Sequence, residues 1–216
     1  MTIESIFQRL TNQCDESIRS INTVNDAHYL STDQLKTIRD LVVKQAFVSV
    51  FTEWEHFLED MTIAYALGKE NLAGYCPQRY VLPQDEEHAD QLIKSSTTYF
   101  DWSKIDDVVK LENSFFHNGE PFVAAIQGFR SKYNDMKKVR NVIVHNSIKS
   151  RDQFDTLVRN ALRASAVGIS PVEFLLSKKN PNPFFYSIYI THIRNAATII
   201  ANYSPVPQAE AEPNPN

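Results

Sequence analysis

The chain has 216 residues, 43% hydrophobic and 22% charged, enough for one ordinary core and too few for a large multidomain enzyme. Thirteen Phe, nine Tyr and two Trp against five Gly, with a mean hydropathy of -0.34, exclude collagen-like, disordered and membrane-embedded classes. A net charge of -4 excludes a generic nucleic-acid coat, because non-specific binding comes from Lys and Arg neutralising phosphates.

Ile3, Ile6, Phe7, Leu10, Cys14, Ile18, Ile21 and Val24 recur at spacings of three and four, which predicts a first amphipathic helix over 3–24. Ser31-Thr32-Asp33-Gln34 reads as a capping box that opens a long helix. Its apolar positions run from Leu35 through Phe47, Phe51, Trp54, Leu58 and Met61 to Tyr65, and Gly68 stops it. Such a helix would be the roughly 50 Å spine of a bundle, with Trp54 and its neighbouring aromatics as core.

From Lys69 the periodicity fails, with Pro77, Pro83 and the Asp85-Glu86-Glu87 cluster, so residues 69–120 read as an irregular insertion of loops and short helices. Within it Ser103-Lys104-Ile105-Asp106 is expected to cap a short helix ending near Phe116. Pro121 suits the first turn of a helix running to about Tyr133, and Met136, Val139, Ile143 and Val144 mark the next. Ser150-Arg151-Asp152-Gln153 reads as a second capping box for a helix through about Ala166, and Ser170-Pro171-Val172-Glu173 as a third. Phe184 to Tyr203 reads as a buried helix, and the Pro/Ala/Glu/Asn tail over 204–216 as disordered. Strand-like alternation is scarce. The expectation is an all-α, up-and-down bundle forming one domain over 1–203.

Charge is unevenly placed. Between Arg130 and Arg163 nine Lys or Arg stand against three acids, so this stretch carries +6 and the remainder -10. It is the segment suited to an anion. Two cysteines, Cys14 and Cys76, read as free thiols of a reducing compartment. An early acid, Glu4, and the lack of any apolar run of signal-peptide or membrane-spanning length give the expectation of a cytoplasmic protein without a membrane partner. No glycine-rich phosphate loop, Gly-x-Ser-x-Gly elbow or His-Glu-x-x-His pair occurs, and six widely separated His give no metal-ligand spacing, so neither a metal nor a cofactor is expected.

One segment stands out, Lys137-Lys138-Val139-Arg140-Asn141-Val142-Ile143-Val144-His145-Asn146, where Arg, Asn and His interrupt an aliphatic helix. Arg140, Asn141, three apolar residues and His145 resemble the Arg, four to six residues, His motif of the HEPN superfamily, including the polar residue that often follows its Arg. Ala46 to Leu58, with Glu53 and Glu55 beside bulky apolar residues, resembles the long helix of some bacterial HEPN groups. Together these cover about a third of the chain.

The resemblance implies a helical bundle that acts as a metal-independent endoribonuclease and homodimer, in a toxin–antitoxin or antiviral defence setting, restrained by an antitoxin protein. It implies Arg140, Asn141 and His145 as catalytic residues. RNA cleavage without metal needs a base for the 2′-OH, an acid for the leaving 5′-oxygen and positive charge for the phosphoryl oxygens. His, which titrates near neutrality, and Arg, a permanently charged planar fork, supply these. The products would be 2′,3′-cyclic phosphate and 5′-hydroxyl ends. Five positions along a helix turn through about 500°, leaving Arg140 and His145 about 140° apart, so a two-fold partner is needed for both to line one cleft. Lys137, Lys138, Lys149 and Arg151 would hold flanking phosphates, and Glu53 or Glu55 would support the site. The competing expectation is a catalytically silent bundle that binds RNA, a nucleotide or a protein through the same basic segment.

Overall fold

The structure, a computed structural model, describes residues 1–27, 32–95, 98–162, 168–178 and 183–205. Ser31, the end of the helix expected to reach Ala166, Arg163 of the basic stretch, and the tail from residue 206 lie outside them. The described residues form an all-α protein without a strand. None of their helices is long and apolar enough to cross a membrane.

The first helix, α1 (Ile3–Asn25), begins at Thr2, whose side chain accepts from the Ser5 backbone in a capping box. Its stripe of Ile6, Leu10, Cys14 and Ile21 is buried. It packs along α2 (Thr32–Ala66), a 35-residue helix. Arg9 Nη2 donates to Asp60 at 2.6 Å and Ser17 Oγ to the Ala46 carbonyl at 3.2 Å, so the two run antiparallel. In the C-terminal half of α2, Phe51, Trp54, Phe57, Leu58, Met61 and Tyr65 are fully buried, because helices cover that half on several sides. The last helix, α9 (Phe185–Ala201), closes the core, with Tyr65 Oη donating to the Ile200 carbonyl at 2.7 Å and Arg194 Nη2 to Asp15 of α1 at 2.5 Å.

Gly68 ends α2 as expected. Its φ of +81° turns the chain, and Arg79 Nη1 donates to the Ala66 carbonyl at 2.9 Å, satisfying one of the last acceptors of the helix. A Cβ on Gly68 would meet that guanidinium at 2.7 Å.

The 69–120 region contributes to the core. It carries α3 (Glu86–Lys94) and α4 (Ile105–Phe115), whose Val108 and Phe115 join Phe116, Phe122 and Tyr65 in one apolar cluster. Thr62 of α2 donates to the Leu58 carbonyl at 2.7 Å and lies 2.6 Å from Oε1 of Glu112 on α4. Complete burial pushes the Glu112 carboxyl well above its ordinary range, and the Thr62 hydroxyl draws it back down.

Three expectations are corrected. Ser103 does not cap α4. Lys104 occupies that place without a side-chain bond, while Ser103 Oγ donates to Asp101 at 2.6 Å. The helix after Pro121 is not continuous to Tyr133, because α5 (Phe122–Gln127) stops at Gly128 and α6 (Arg130–Val144) starts after Phe129, whose φ is -131°. The helix expected to open at Ser150 starts earlier, as α7 (Ile148–Leu162), with the Ser150 backbone donating to Ser147 Oγ at 3.2 Å. Ser147 holds the capping position because Asn146, at φ +45°, reverses the chain just before it. Ser170 does form the third capping box, opening the short α8 (Pro171–Leu175).

Candidate nucleic-acid interface

Helix α6 is divided lengthwise. Tyr133, Met136, Val139 and Val142 are buried against the core. Asn134, Lys138, Asn141 and His145, spaced by four, three and four, share the face turned away from it. His145 caps the helix, its backbone N–H donating to the Asn141 carbonyl at 2.9 Å, and its side chain is exposed. The reversal at Asn146 then lays the start of α7 against this polar face, and the two helices enclose a groove of about 560 Å³.

From α6 the groove takes Asn134, Lys137, Lys138, Asn141 and His145. The α7 side supplies Ser147, Lys149, Ser150 and Gln153. Among these residues there is no carboxylate, and the His145 imidazole is the one aromatic ring. Five of the residues expected to meet RNA or catalyse its cleavage, Lys137, Lys138, Asn141, His145 and Lys149, therefore share one groove. Asn134, Ser147, Ser150 and Gln153 were not foreseen. Asn134 was within reach of sequence reasoning, since it continues the Lys138/Asn141/His145 stripe one turn back.

The groove cations are not equivalent. Lys137 Nζ donates to the Ser103 carbonyl at 2.7 Å, and burial lowers its pKa. Lys138 lies 3.4 Å from Asp135. Lys149 is exposed and has no ion-pair partner among the described residues. Arg151 stands apart from the groove lining, with Nε donating to Asn146 Oδ1 at 2.8 Å, so its role is to hold the α6–α7 reversal.

Arg140 takes the other side of α6, as the 140° separation from His145 requires. Its guanidinium lies 5.7 Å from the Phe51 ring centroid and Nη2 is 4.0 Å from Glu55 Oε1 on α2. Nη1 donates to Asn141 Oδ1 at 3.2 Å, which ties it to a groove residue, although Arg140 itself does not line the groove. The structure also separates the two candidate acids. Glu53 bonds to Arg9 of α1, whereas Glu55 faces Arg140. Burial raises the Glu55 carboxyl and Arg140 draws it back down. Arg140 Nε and Glu55 Oε1 are both buried without a hydrogen-bond partner among the described residues, an incompletely satisfied pair between α6 and α2. Trp54 is fully buried, a core residue and not a stacking platform.

Among the described residues no group of three His, Cys, Asp or Glu side chains is placed to share a cation. The groove offers instead what a polyanion needs: side-chain donors, an imidazole at one end, and a lining without carboxylates. Comparison of the chain with family models, with curated proteins and with solved structures finds no match.

Proposed function

We propose that the protein is a metal-independent endoribonuclease of HEPN type, with its site in the α6–α7 groove. The observation that carries this reading is that exposed His145 opens onto a groove with three lysines and no carboxylate. His145 abstracts the 2′-OH proton. The 2′-oxygen bonds to phosphorus as the P–O5′ bond breaks, and an imidazolium returns a proton to the 5′-oxygen. Lys138 and Lys149 neutralise phosphates, while Lys137 adds charge from its seat on Ser103. Asn141 gives its Nδ2 protons to a phosphoryl oxygen. Arg140 holds the Asn141 amide oxygen, which turns the donor end toward the groove, and adds permanent positive charge behind it.

A two-fold pair of chains supplies the second imidazole, one acting as base and the other as acid. The motif resemblance supplies the rest of the proposal: a homodimer acting as a toxin or antiphage effector, with an antitoxin protein as restraining partner. The inward setting of Arg140 favours one alternative, a groove that binds RNA without cutting it.

The test is incubation of the wild type and His145→Ala with total RNA in EDTA, with fragment ends mapped and oligomeric state measured. Cyclic-phosphate ends from the wild type, with a rate at least 100-fold lower in His145→Ala, are expected, in line with the roughly 10²–10⁴-fold that acid–base catalysis contributes. Equal cleavage by a folded His145→Ala would remove the reading. Binding without cleavage by either would leave the silent module.

A further inference from the structure

We propose that Asn134 and Gln153 read a nucleobase across the groove and select a purine; the inference rests on the groove being a seat for RNA. An accounting of hydrogen-bonding capacity leads there. Ser147 and Ser150 are spent on each other, Ser147 Oγ donating to Ser150 Oγ at 3.1 Å and Ser150 Oγ to the Ser147 carbonyl at 2.9 Å. Asn141 has given its acceptor to Arg140. The lysines carry donors only.

Asn134 and Gln153 remain as exposed amides with no hydrogen-bond partner among the described residues, each with a donor and an acceptor side by side. They stand on opposite walls, one from α6 and one from α7. Apart from the His145 imidazole no ring is among the described lining residues, so the two amides meet a base by its edge.

The bases differ in how they meet two amides. Adenine has an N6 amino group with two hydrogens, flanked by the acceptors N1 and N7. It can therefore give one hydrogen to each amide oxygen and take one from each amide nitrogen. Asn or Gln bidentate to the N6/N7 edge is the familiar half of that arrangement. Guanine does the same through two edges, N1–H with O6 and N2–H with N3. Uracil has a single N–H and cytosine a single donor–acceptor edge, so each meets one amide fully but not two. Only a purine can bridge the walls with four hydrogen bonds.

The probes are 5′-fluorescein octamers of uridine bearing a central A, C, G or U, made with 2′-O-methyl sugars so that no 2′-OH can attack. Their affinities are read by anisotropy, and cleavage is followed on the ribose versions. The central-A and central-G octamers should bind wild type about tenfold more tightly than the central-C and all-uridine octamers, the scale of one to two bidentate contacts. Asn134→Ala and Gln153→Ala should each remove most of that preference while leaving affinity for the all-uridine octamer unchanged. Both positions are exposed, so folding is expected to survive.

Equal affinity of the wild type for all four octamers would overturn the inference, as would a preference that persists in the double variant. Cleavage of all four at one rate would sink base selection and leave the nuclease standing. Purine-selective binding with no cleavage would do the reverse, and no binding to any octamer would remove both.

Discussion

The two long faces of α6 are built from one stretch of chain under opposite terms. Tyr133, Met136, Val139 and Val142 lie in the core, and Tyr133 stacks on Phe51 at 5.3 Å between ring centroids. Asn134, Lys138, Asn141 and His145 keep their polar groups at the surface, where water or a ligand satisfies them. The inward face commits binding energy to holding the helix in place, and the outward face withholds it for something else. Arg140 stands at the seam between them. It rests on the core aromatic Phe51 and bonds to the groove amide Asn141, so a change on one face can reach the other through this side chain.

If the faces are divided in this way, substitutions should separate stability from function. Phe51→Ala removes a fully buried ring that supports both Tyr133 and Arg140. It should lower unfolding free energy by about 3–5 kcal/mol, measured in urea. His145→Ala should stay within about 0.5 kcal/mol of the wild type in the same titration. A loss below about 1 kcal/mol in Phe51→Ala would break the division, because it would mean that α6 is not held by its inner face.

Much of the inner face was legible in the chain. Spacings of three and four gave α1 and α2, since a helix buried on one stripe writes its period into the sequence, and the aromatic and aliphatic run from Phe184 to Tyr203 marked α9. The third capping box, at Ser170, was equally plain. Other local signals competed. Ser147 and Ser150 are both good caps, and the choice fell to Ser147 because Asn146 enters the left-handed region, which depends on how α6 must turn back onto α7. Gly128 carried the signal for the break between α5 and α6, outweighed by the apolar pattern around it.

The outer face was legible in its residue types and not in its partners. His145, Asn141 and the lysines follow from the motif. That Glu55 and not Glu53 meets α6 depends on the angle at which α2 and α6 cross, and no spacing within either helix encodes that angle. The inward turn of Arg140 follows from the helical rotation between it and His145, but its seat between Phe51 and Glu55 is a tertiary fact.

The seam supplies the next largest effect. Glu55 has a folded-state pKa above its ordinary value, so its ionisation opposes folding, and the stability it allows is greatest at low pH and falls as pH rises through that pKa. Arg140 limits the loss by favouring the carboxylate. In Arg140→Leu the leucine retains apolar contact with Phe51 but leaves Glu55 without its cation, so the loss continues to higher pH. The variant should match the wild type closely near pH 4 and fall about 1–3 kcal/mol below it by pH 8. Adding Glu55→Leu should abolish the pH dependence of that difference. A pH-independent deficit would mean that Arg140 acts by packing alone, and the seam would be a steric joint.

The smallest effect concerns how the groove cations divide their work. Lys149 is free to meet a phosphate, whereas Lys137 is bound to the Ser103 carbonyl and Lys138 sits beside Asp135. For a single-stranded ligand, each phosphate neutralised contributes about 0.7 to the slope of log affinity against log salt. Lys149→Ala should therefore flatten that slope by about 0.7 for a 2′-O-methyl octamer, and Lys137→Ala by clearly less, because its ammonium already has an acceptor. Equal flattening would show that Lys137 leaves Ser103 when RNA arrives. The loop at Ser103 would then move with the ligand, joining the 69–120 region to the groove it borders.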